Sequence, residues 1–257
     1  MASRSEPVKR QKIDVLGVKV DDMLFDEAVS AVFKLAQAKN KGKIVVTVNS
    51  EFVMLARRDP KFKKILNNSD LALPDGQWVA NSKLILGGMA QDRVPGVDIL
   101  EEVCKKSANL PITVGFLGGF GGVADEVAKR QKKANPGLKV VFSGAGDPTI
   151  GQDLRLKEQF SRLGRIDVLF VAYGMGRQEF WIDRMRKKLD VGVFIGVGGT
   201  FDYIANIKRR APKLWQNWHI EWLWRLVMEP ARIWRMRVLP VFLVLVILQF
   251  FRKTLKF

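Results

Sequence analysis

The sequence predicts an α/β protein: a mostly parallel, Rossmann-like sheet with helices on both faces, followed by a helical, basic, Trp-rich C-terminal appendage. Three observations predict it. From residue 13 to residue 197, short β-branched runs alternate with stretches of helical spacing, the pattern of a parallel sheet covered by helices. Four of the strand-like runs pass straight into Asn49, Pro74, Gly118 or Gly198, residues that punctuate strand-to-helix turns. Beyond residue 208 the texture changes to arginine, tryptophan and aliphatics.

Taken in order, Ile13–Val18 reads as a first strand, and Leu24–Ala38 as a helix with Phe25, Ala28, Val29, Val32, Phe33 and Ala36 on one side. Lys43–Val48 is a buried strand by its β-branched content and runs through Asn49 into a helix ending near Arg57. Asp70–Leu73 is a very short strand halted by Pro74-Asp75-Gly76, with a helix from Gln77 to Leu86 and another over Val97–Ala108. Ile112–Leu117, Leu138–Phe142, Ile166–Ala172 and Val191–Val197 are the later strands, and Val123–Ala134, Thr149–Leu163 and Arg177–Lys187 the helices between them. The glycine run Gly118–Gly122 follows one strand, and Asn135-Pro136-Gly137 stops a helix. The organisation expected is a disordered basic tail over residues 1–11, a catalytic α/β domain over 12–207 and an appendage over 208–257.

With 257 residues, 47% of them hydrophobic and 10% aromatic, the chain can build a large core. A formal charge of +17 implies an anionic partner: nucleic acid, an anionic membrane or a phosphorylated small molecule. Met1–Gln11 has no apolar run and does not read as a secretory signal. One cysteine, Cys104, allows no intrachain disulfide and fits a reduced compartment. With a single histidine, His219, it also leaves no zinc cluster of the usual structural type.

Residues 208–257 hold 11 Lys or Arg against two Glu, and five of the seven tryptophans. Tryptophan and arginine suit the headgroup layer of an anionic leaflet. The apolar run Val238–Phe251 is 14 residues long, a helical rise of about 21 Å, short of the roughly 30 Å hydrocarbon core. This favours a segment that lies in the interface or dips into one leaflet. A buried core helix or an oligomer contact is the bland alternative. Nucleic acid fits the apolar tail poorly.

In a doubly wound sheet, ligands bind outside the carboxyl ends of the strands. That rule singles out Thr47 and Asn49, then Asp75, which by composition suits a helix N-cap first and a general base second. Arg93, before the helix at Gly96, could fork onto a phosphate. The glycine turns Gly118–Gly122, Gly174-Met175-Gly176 before Gln178, and Gly198-Gly199 before Asp202 could each admit a phosphate or ribose. None forms a dinucleotide fingerprint or a Walker loop.

Taken together, Thr47-Val48-Asn49, Leu73-Pro74-Asp75-Gly76, Arg93 through Asp98, Gly174 through Glu179, Gly198 through Asp202, Arg210-Ala211-Pro212 and Glu221 through Leu226, followed by Glu229-Pro230 and Arg232, resemble the WecG/TagA/CpsF glycosyltransferases over nearly all of Ile13–Arg237. The resemblance implies transfer of an N-acetylmannosamine-type sugar from UDP to undecaprenyl-diphosphate-linked GlcNAc, in cell-surface polysaccharide or teichoic acid synthesis. It implies an inverting reaction needing no metal or cofactor. Asp75 matches the proposed base, Thr47 and Asn49 its strand-end polar pair, Arg93 a pocket arginine and Gln178 the glutamine of a Gln-Glu motif. Arg225, Arg232 and Arg235 match diphosphate contacts of an appendage that completes the site at the membrane. The partners implied are a UDP-sugar, a polyprenyl-diphosphate-linked acceptor and the anionic cytoplasmic face of the cell membrane, held peripherally; a homo-oligomer is left open. Two positions depart from the family: Gly176 replaces a usual proline and Asn206 a usual glycine, which bears on the donor sugar. A nicotinamide-dependent oxidoreductase and a non-catalytic nucleotide- or lipid-binding protein are the alternatives on the same architecture.

Overall fold

The computed structural model describes residues 11–218, 221–230 and 233–255. The expected tail over residues 1–11 lies outside this range save for its last residue. The chain opens with β1 (Lys12–Val15) and β2 (Val18–Asp21), an antiparallel hairpin rather than the single strand the sequence suggested. Leu16 and Gly17 both take positive φ, +53° and +89°, as the tight two-residue turn requires. Gly17 N–H donates to the Asp14 carboxylate at 2.7 Å, which stabilises a conformation that a leucine rarely adopts.

The remaining strands form one six-stranded parallel sheet in the order β4-β3-β8-β7-β5-β6. They are β3 (Lys43–Val48), β4 (Leu71–Pro74), β5 (Thr113–Gly118), β6 (Lys139–Gly144), β7 (Ile166–Ala172) and β8 (Val191–Gly196). β8 is buried throughout and β7 nearly so, as continuous apolar runs in a doubly covered sheet should be. One face is covered by α1 (Phe25–Ala36), α5 (Gly96–Ser107), α6 (Val123–Ala134) and α9 (Thr200–Ile204). The other carries α2 (Ser50–Arg58), α3 (Pro60–Asn67), α7 (Asp153–Ser161), α8 (Arg177–Met185) and the hairpin. The helix α3 escapes the sequence reading, although Asp59-Pro60 announces it. The Asp59 carboxylate caps Lys61 and Phe62 N–H at 2.9 and 3.0 Å, and proline suits a first helical position.

The hairpin is stitched to the edge of the sheet by Asp21, fully buried, whose carboxylate accepts from Ala72 N–H at 2.7 Å and meets Lys12 at 3.4 Å. After β4 come α4 (Gln77–Ile85) and a loop over residues 87–95. Asp22 holds that loop by accepting from Met89 and Ala90 N–H at 2.7 and 3.1 Å, while pairing with the fully buried Lys83 at 2.9 Å. Asp92 accepts from Phe25 N–H at 2.8 Å, and Val94 N–H donates to the Pro74 carbonyl at 2.7 Å. The loop that carries Arg93 is therefore fastened on both sides of it.

Beyond residue 208 lie α10 (Lys213–Asn217), α11 (Glu221–Met228), α12 (Ile233–Met236) and α13 (Val238–Thr254). They fold back over the body. Lys208 pairs with Asp202 at 3.4 Å, Arg210 with Asp98 at 2.6 Å and Arg235 with Glu51 at 2.6 Å. Phe242 and Val246 of α13 are buried among the residues of α2 and the hairpin. The helical stretch Ile233–Thr254 is 22 residues, long and apolar enough by length and composition to cross a membrane, unlike the 14-residue run read from sequence. The difference arises because the helix continues through its basic flanks and accepts Pro240 in its first turn, where no intrahelical N–H is needed.

Asp22→Asn should cost about 3–5 kcal/mol, because it leaves the Lys83 ammonium buried without its counter-charge. A urea titration of the full chain checks this against wild type.

Candidate active site

The carboxyl ends of β3 and β4 and the starts of three helices meet at one cleft. Asp75 follows β4 directly, with its N–H bonded to the Val48 carbonyl at 2.9 Å, so the ends of two adjacent strands set its position. One side-chain oxygen accepts from Gly96 N–H, the start of α5, at 3.2 Å. Asn49 caps α2 through Phe52 N–H at 3.1 Å. Gly76 precedes α4 and packs so closely on Asn49 that a Cβ there would lie 3.2 Å from the Asn49 Cβ. First-turn residues of α2 and α4, Ser50, Glu51 and Gln77, line the cleft with Asp75 and Arg93. Such helix starts carry positive partial charge and unpaired N–H groups, suited to anions.

The C-terminal segment supplies the opposite wall: Glu221, Trp222, Arg225, Met236 and Leu239. The enclosed space, counted out to its open mouth, is about 710 Å³. Glu221, buried at 4% exposure, bridges Arg93 at 2.8 Å and Arg225 at 2.6 Å. The Arg225 guanidinium also lies over the Tyr203 ring, 5.0 Å from its centre. Trp78 and Trp222 face each other across the cleft wall with ring centres 6.1 Å apart.

Three carboxylates line this space, and two of them are ion-paired: Glu221 with the two arginines, Glu51 with Arg235. Asp75 has no ion pair among the described residues. Burial, the largest influence, pushes its carboxyl above the usual range; Arg225, Arg93 and the Gly96 N–H pull it down, and Glu221 pushes it up. For Glu221, burial also acts upward, but Arg225 and Arg93 prevail and hold it below the ordinary value. A half-buried, unpaired carboxylate between two guanidinium groups can accept a proton from a hydroxyl. The same guanidinium groups can hold a phosphate.

The structure divides the residues expected from sequence. Asp75, Asn49, Arg93 and Arg225 come together in the cleft. Arg235 stands beside it, paired to the cleft residue Glu51. Arg232 lies outside the described residues. Thr47 was expected to be catalytic with Asn49, but its side chain is buried and its hydroxyl donates to the Gly196 carbonyl at 2.9 Å, tying β3 to β8. Gln178 is likewise buried rather than open to the cleft. Its oxygen accepts from Gly198 N–H at 2.9 Å and its Nε2 donates to Glu179 at 2.7 Å, bracing the β7 turn against the β8 turn. Glu179, also accepting from Gly176 N–H, is pushed by burial to about 7 against those hydrogen bonds. Gly174 and Gly198 take positive φ of +83° and +55° in turns on the same sheet edge, Gly199 precedes α9, and Asp202 engages Lys208. Cys104 is buried, and burial pushes its thiol up, as befits a core residue. Among the described residues, no three of His, Cys, Asp or Glu cluster as metal ligands.

Glu221, Trp78, Trp222 and Glu51 were missed as site residues. Glu221 had a readable signal: it is one of two acids in the strongly basic stretch after residue 208. A buried acid among arginines is there to hold them.

A carboxylate without an ion pair among the described residues, in an arginine-lined cleft at the carboxyl edge of a parallel α/β sheet, is an arrangement that suits a group-transfer enzyme. The chain matches the model of the glycosyl transferase WecG/TagA/CpsF family over residues 13–256 and belongs to that family; it is a glycosyltransferase. It is 31% identical over 209 residues to the N-acetylglucosaminyldiphosphoundecaprenol N-acetyl-beta-D-mannosaminyltransferase of Bacillus spizizenii (strain W23), covering 81% of this chain and 80% of the relative. Proteins of the same name from Staphylococcus aureus strains MW2 and NCTC 8325 are 25% identical over 237 residues, 90% of this chain and 91% of theirs.

Because its folded pKa is raised, Asp75 binds its proton more tightly in the native state than unfolded, so it lowers stability as pH rises from the ordinary carboxylate value through the raised one. Asp75→Asn should therefore raise Tm at neutral pH. In a carboxyl-carbon NMR titration, Asp75 should titrate above the usual aspartate range, and higher still in Arg225→Gln, which removes a cation that favours its charged form.

Proposed function

We propose that this glycosyltransferase moves an N-acetylmannosamine-type sugar from a UDP donor to a GlcNAc-diphosphoundecaprenol acceptor, with inversion and without a metal ion, at the cytoplasmic face of the membrane. The observation that carries the reading is that Asp75 alone, of the three cleft carboxylates, is not ion-paired among the described residues. The relatives' printed name supports the acceptor and the sugar.

In the proposed reaction Asp75 takes the proton of an acceptor hydroxyl as that oxygen attacks the anomeric carbon of the donor. The bond from that carbon to the UDP oxygen breaks on the opposite face, and UDP leaves with the electron pair. UDP-linked N-acetylhexosamines are α-anomers, so a β product, as in the relatives' name, calls for a single displacement. The leaving diphosphate gains charge that Arg93, Arg225 and the starts of α2 and α4 are placed to meet, a preorganised electrostatic role. Glu221 keeps both guanidinium groups at the cleft without neutralising them fully, since one carboxylate serves two cations. A raised Asp75 pKa suits a base, because proton transfer is most efficient when the base's pKa approaches the working pH. Thr47, Gln178 and Glu179 act by fixing the strand-end turns. Trp78 and Trp222 offer flat apolar surface to a sugar ring or to the first isoprene units.

The test is a detergent-solubilised assay with UDP-N-acetylmannosamine and a short-chain lipid-diphosphate-GlcNAc, with product stereochemistry read by NMR. Transfer giving the β-linked product, unchanged by EDTA, is expected. Asp75→Asn should lower kcat about 10²–10⁴-fold while the protein stays folded. Retention of configuration, loss of activity with EDTA, or full turnover by Asp75→Asn would each overturn the corresponding part of the reading.

A further inference from the structure

A second cavity, about 570 Å³ out to its mouth, lies away from the cleft, between the β1–β2 turn, the end of α2 and α13. Leu16, Leu245 and Leu248 give it an apolar wall, and Arg57 and Arg252 bring two guanidinium groups. Neither guanidinium group forms an ion pair or hydrogen bond with any described residue. Two unpaired guanidinium groups beside an apolar wall match an amphiphile with an anionic head, and arginine forks suit phosphate.

The way α13 is docked says where that amphiphile comes from. Its inner stripe is Phe242, Val246, Gln249 and Lys253, spaced four, three and four residues apart. Phe242 and Val246 are buried. Gln249 donates to the Asp14 carbonyl and accepts from Leu16 N–H, both at 2.8 Å, and Lys253 donates to the Leu86 carbonyl at 2.8 Å. These contacts run from Phe242 to Lys253, about 17 Å of the helix's roughly 26 Å at 1.5 Å per residue. The outer side carries Val241, Val244, Ile247, Leu248 and Phe251, each 46–57% exposed. A helix fastened along its length to a globular body cannot cross a bilayer, yet its outer face is too apolar to remain in water.

We infer that α13 lies in the plane of an anionic leaflet with its outer face among the acyl chains, and that the Arg57–Arg252 cavity receives the phosphate headgroup of an anionic phospholipid. The leucine wall meets the first methylenes of that lipid. The site is distinct from the transfer cleft, and rests only on the membrane part of the function proposed above.

The experiment is flotation of the full chain with vesicles of phosphatidylcholine alone or containing phosphatidylglycerol. No donor or acceptor is present, so its failure leaves the transfer reaction untouched, and failure of the transfer assay leaves this site untouched. Binding should require phosphatidylglycerol. Arg57→Gln/Arg252→Gln should weaken it about 30-fold, the weight of two basic residues held at an anionic surface, with Tm unchanged. The charge-matched pair Lys132→Gln/Lys133→Gln, exposed on the outer side of α6, should weaken it only a few-fold at most. Equal losses for the two pairs would assign the binding to diffuse charge and overturn the site. So would calorimetric binding of inorganic phosphate that depends on Arg57 and Arg252 while vesicle affinity does not. A separate reading uses an environment-sensitive dye on Val244→Cys, Cys104 being buried. Blue-shifted emission on phosphatidylglycerol vesicles is expected, and unshifted emission would overturn the in-plane placement.

Discussion

The cleft depends on one buried carboxylate, Glu221, held between Arg93 and Arg225. The two arginines come from positions 132 residues apart, one on a loop at the sheet edge and the other in the returning C-terminal segment. Without an acid between them, two guanidinium groups at such proximity would repel, and burial would penalise each. With it, the triad joins the two walls, and the arginines still present net positive charge toward Asp75. Burying a charged cluster is a poor route to stability, since a well-packed apolar substitute often does as well. Its persistence here makes sense where positive charge must stand ready for an anionic ligand. The other fastenings, Asp22 under the Arg93 loop and Arg210 on Asp98, keep the triad's two halves in register.

The polar residues of the sheet edge fall into two kinds. Asn49, Asp75, Arg93 and Arg225 open onto the cleft, while Thr47, Gln178 and Glu179 are sealed and spend their hydrogen bonds on neighbouring turns. The second kind explains how glycine-rich strand ends stay fixed. Gly198 N–H and Gly176 N–H would otherwise be unsatisfied or free to reorient; instead a glutamine and a glutamate accept from them. Glu179 in this way holds the turn at Gly176, where φ is +82°.

Much of this was legible in the sequence. The parallel sheet followed from alternating apolar runs and helical spacing, and strand limits such as Ile166–Ala172 were read as they stand. Asp75 and Arg93 were legible as strand-end and loop residues of the right chemistry. Thr47 was not, because a strand-end hydroxyl looks the same in sequence whether it faces a ligand or a neighbouring carbonyl; only the β3–β8 pairing decides it. The hairpin was hidden because Leu16 takes a left-handed conformation that leucine seldom signals. The docking of α13 could not be read from the sequence: apolar residues lie on every side of Val238–Phe251, and what picks out the inner face is the shape of α2 and the hairpin beneath.

The clasp between Gln249 and the turn at Asp14 and Leu16 links residues more than 230 apart along the chain. At a translation speed of roughly 5–20 residues per second, the hairpin waits about 10–50 seconds after its own synthesis for that glutamine to be made. Between the completion of β8 at Gly196 and the synthesis of α11, the nascent polypeptide has its sheet and Asp75 but lacks the wall that brings Arg225. Completion of the cleft thus waits for α11, and a chain broken off before it would carry Asp75 without Arg225 or Glu221 opposite.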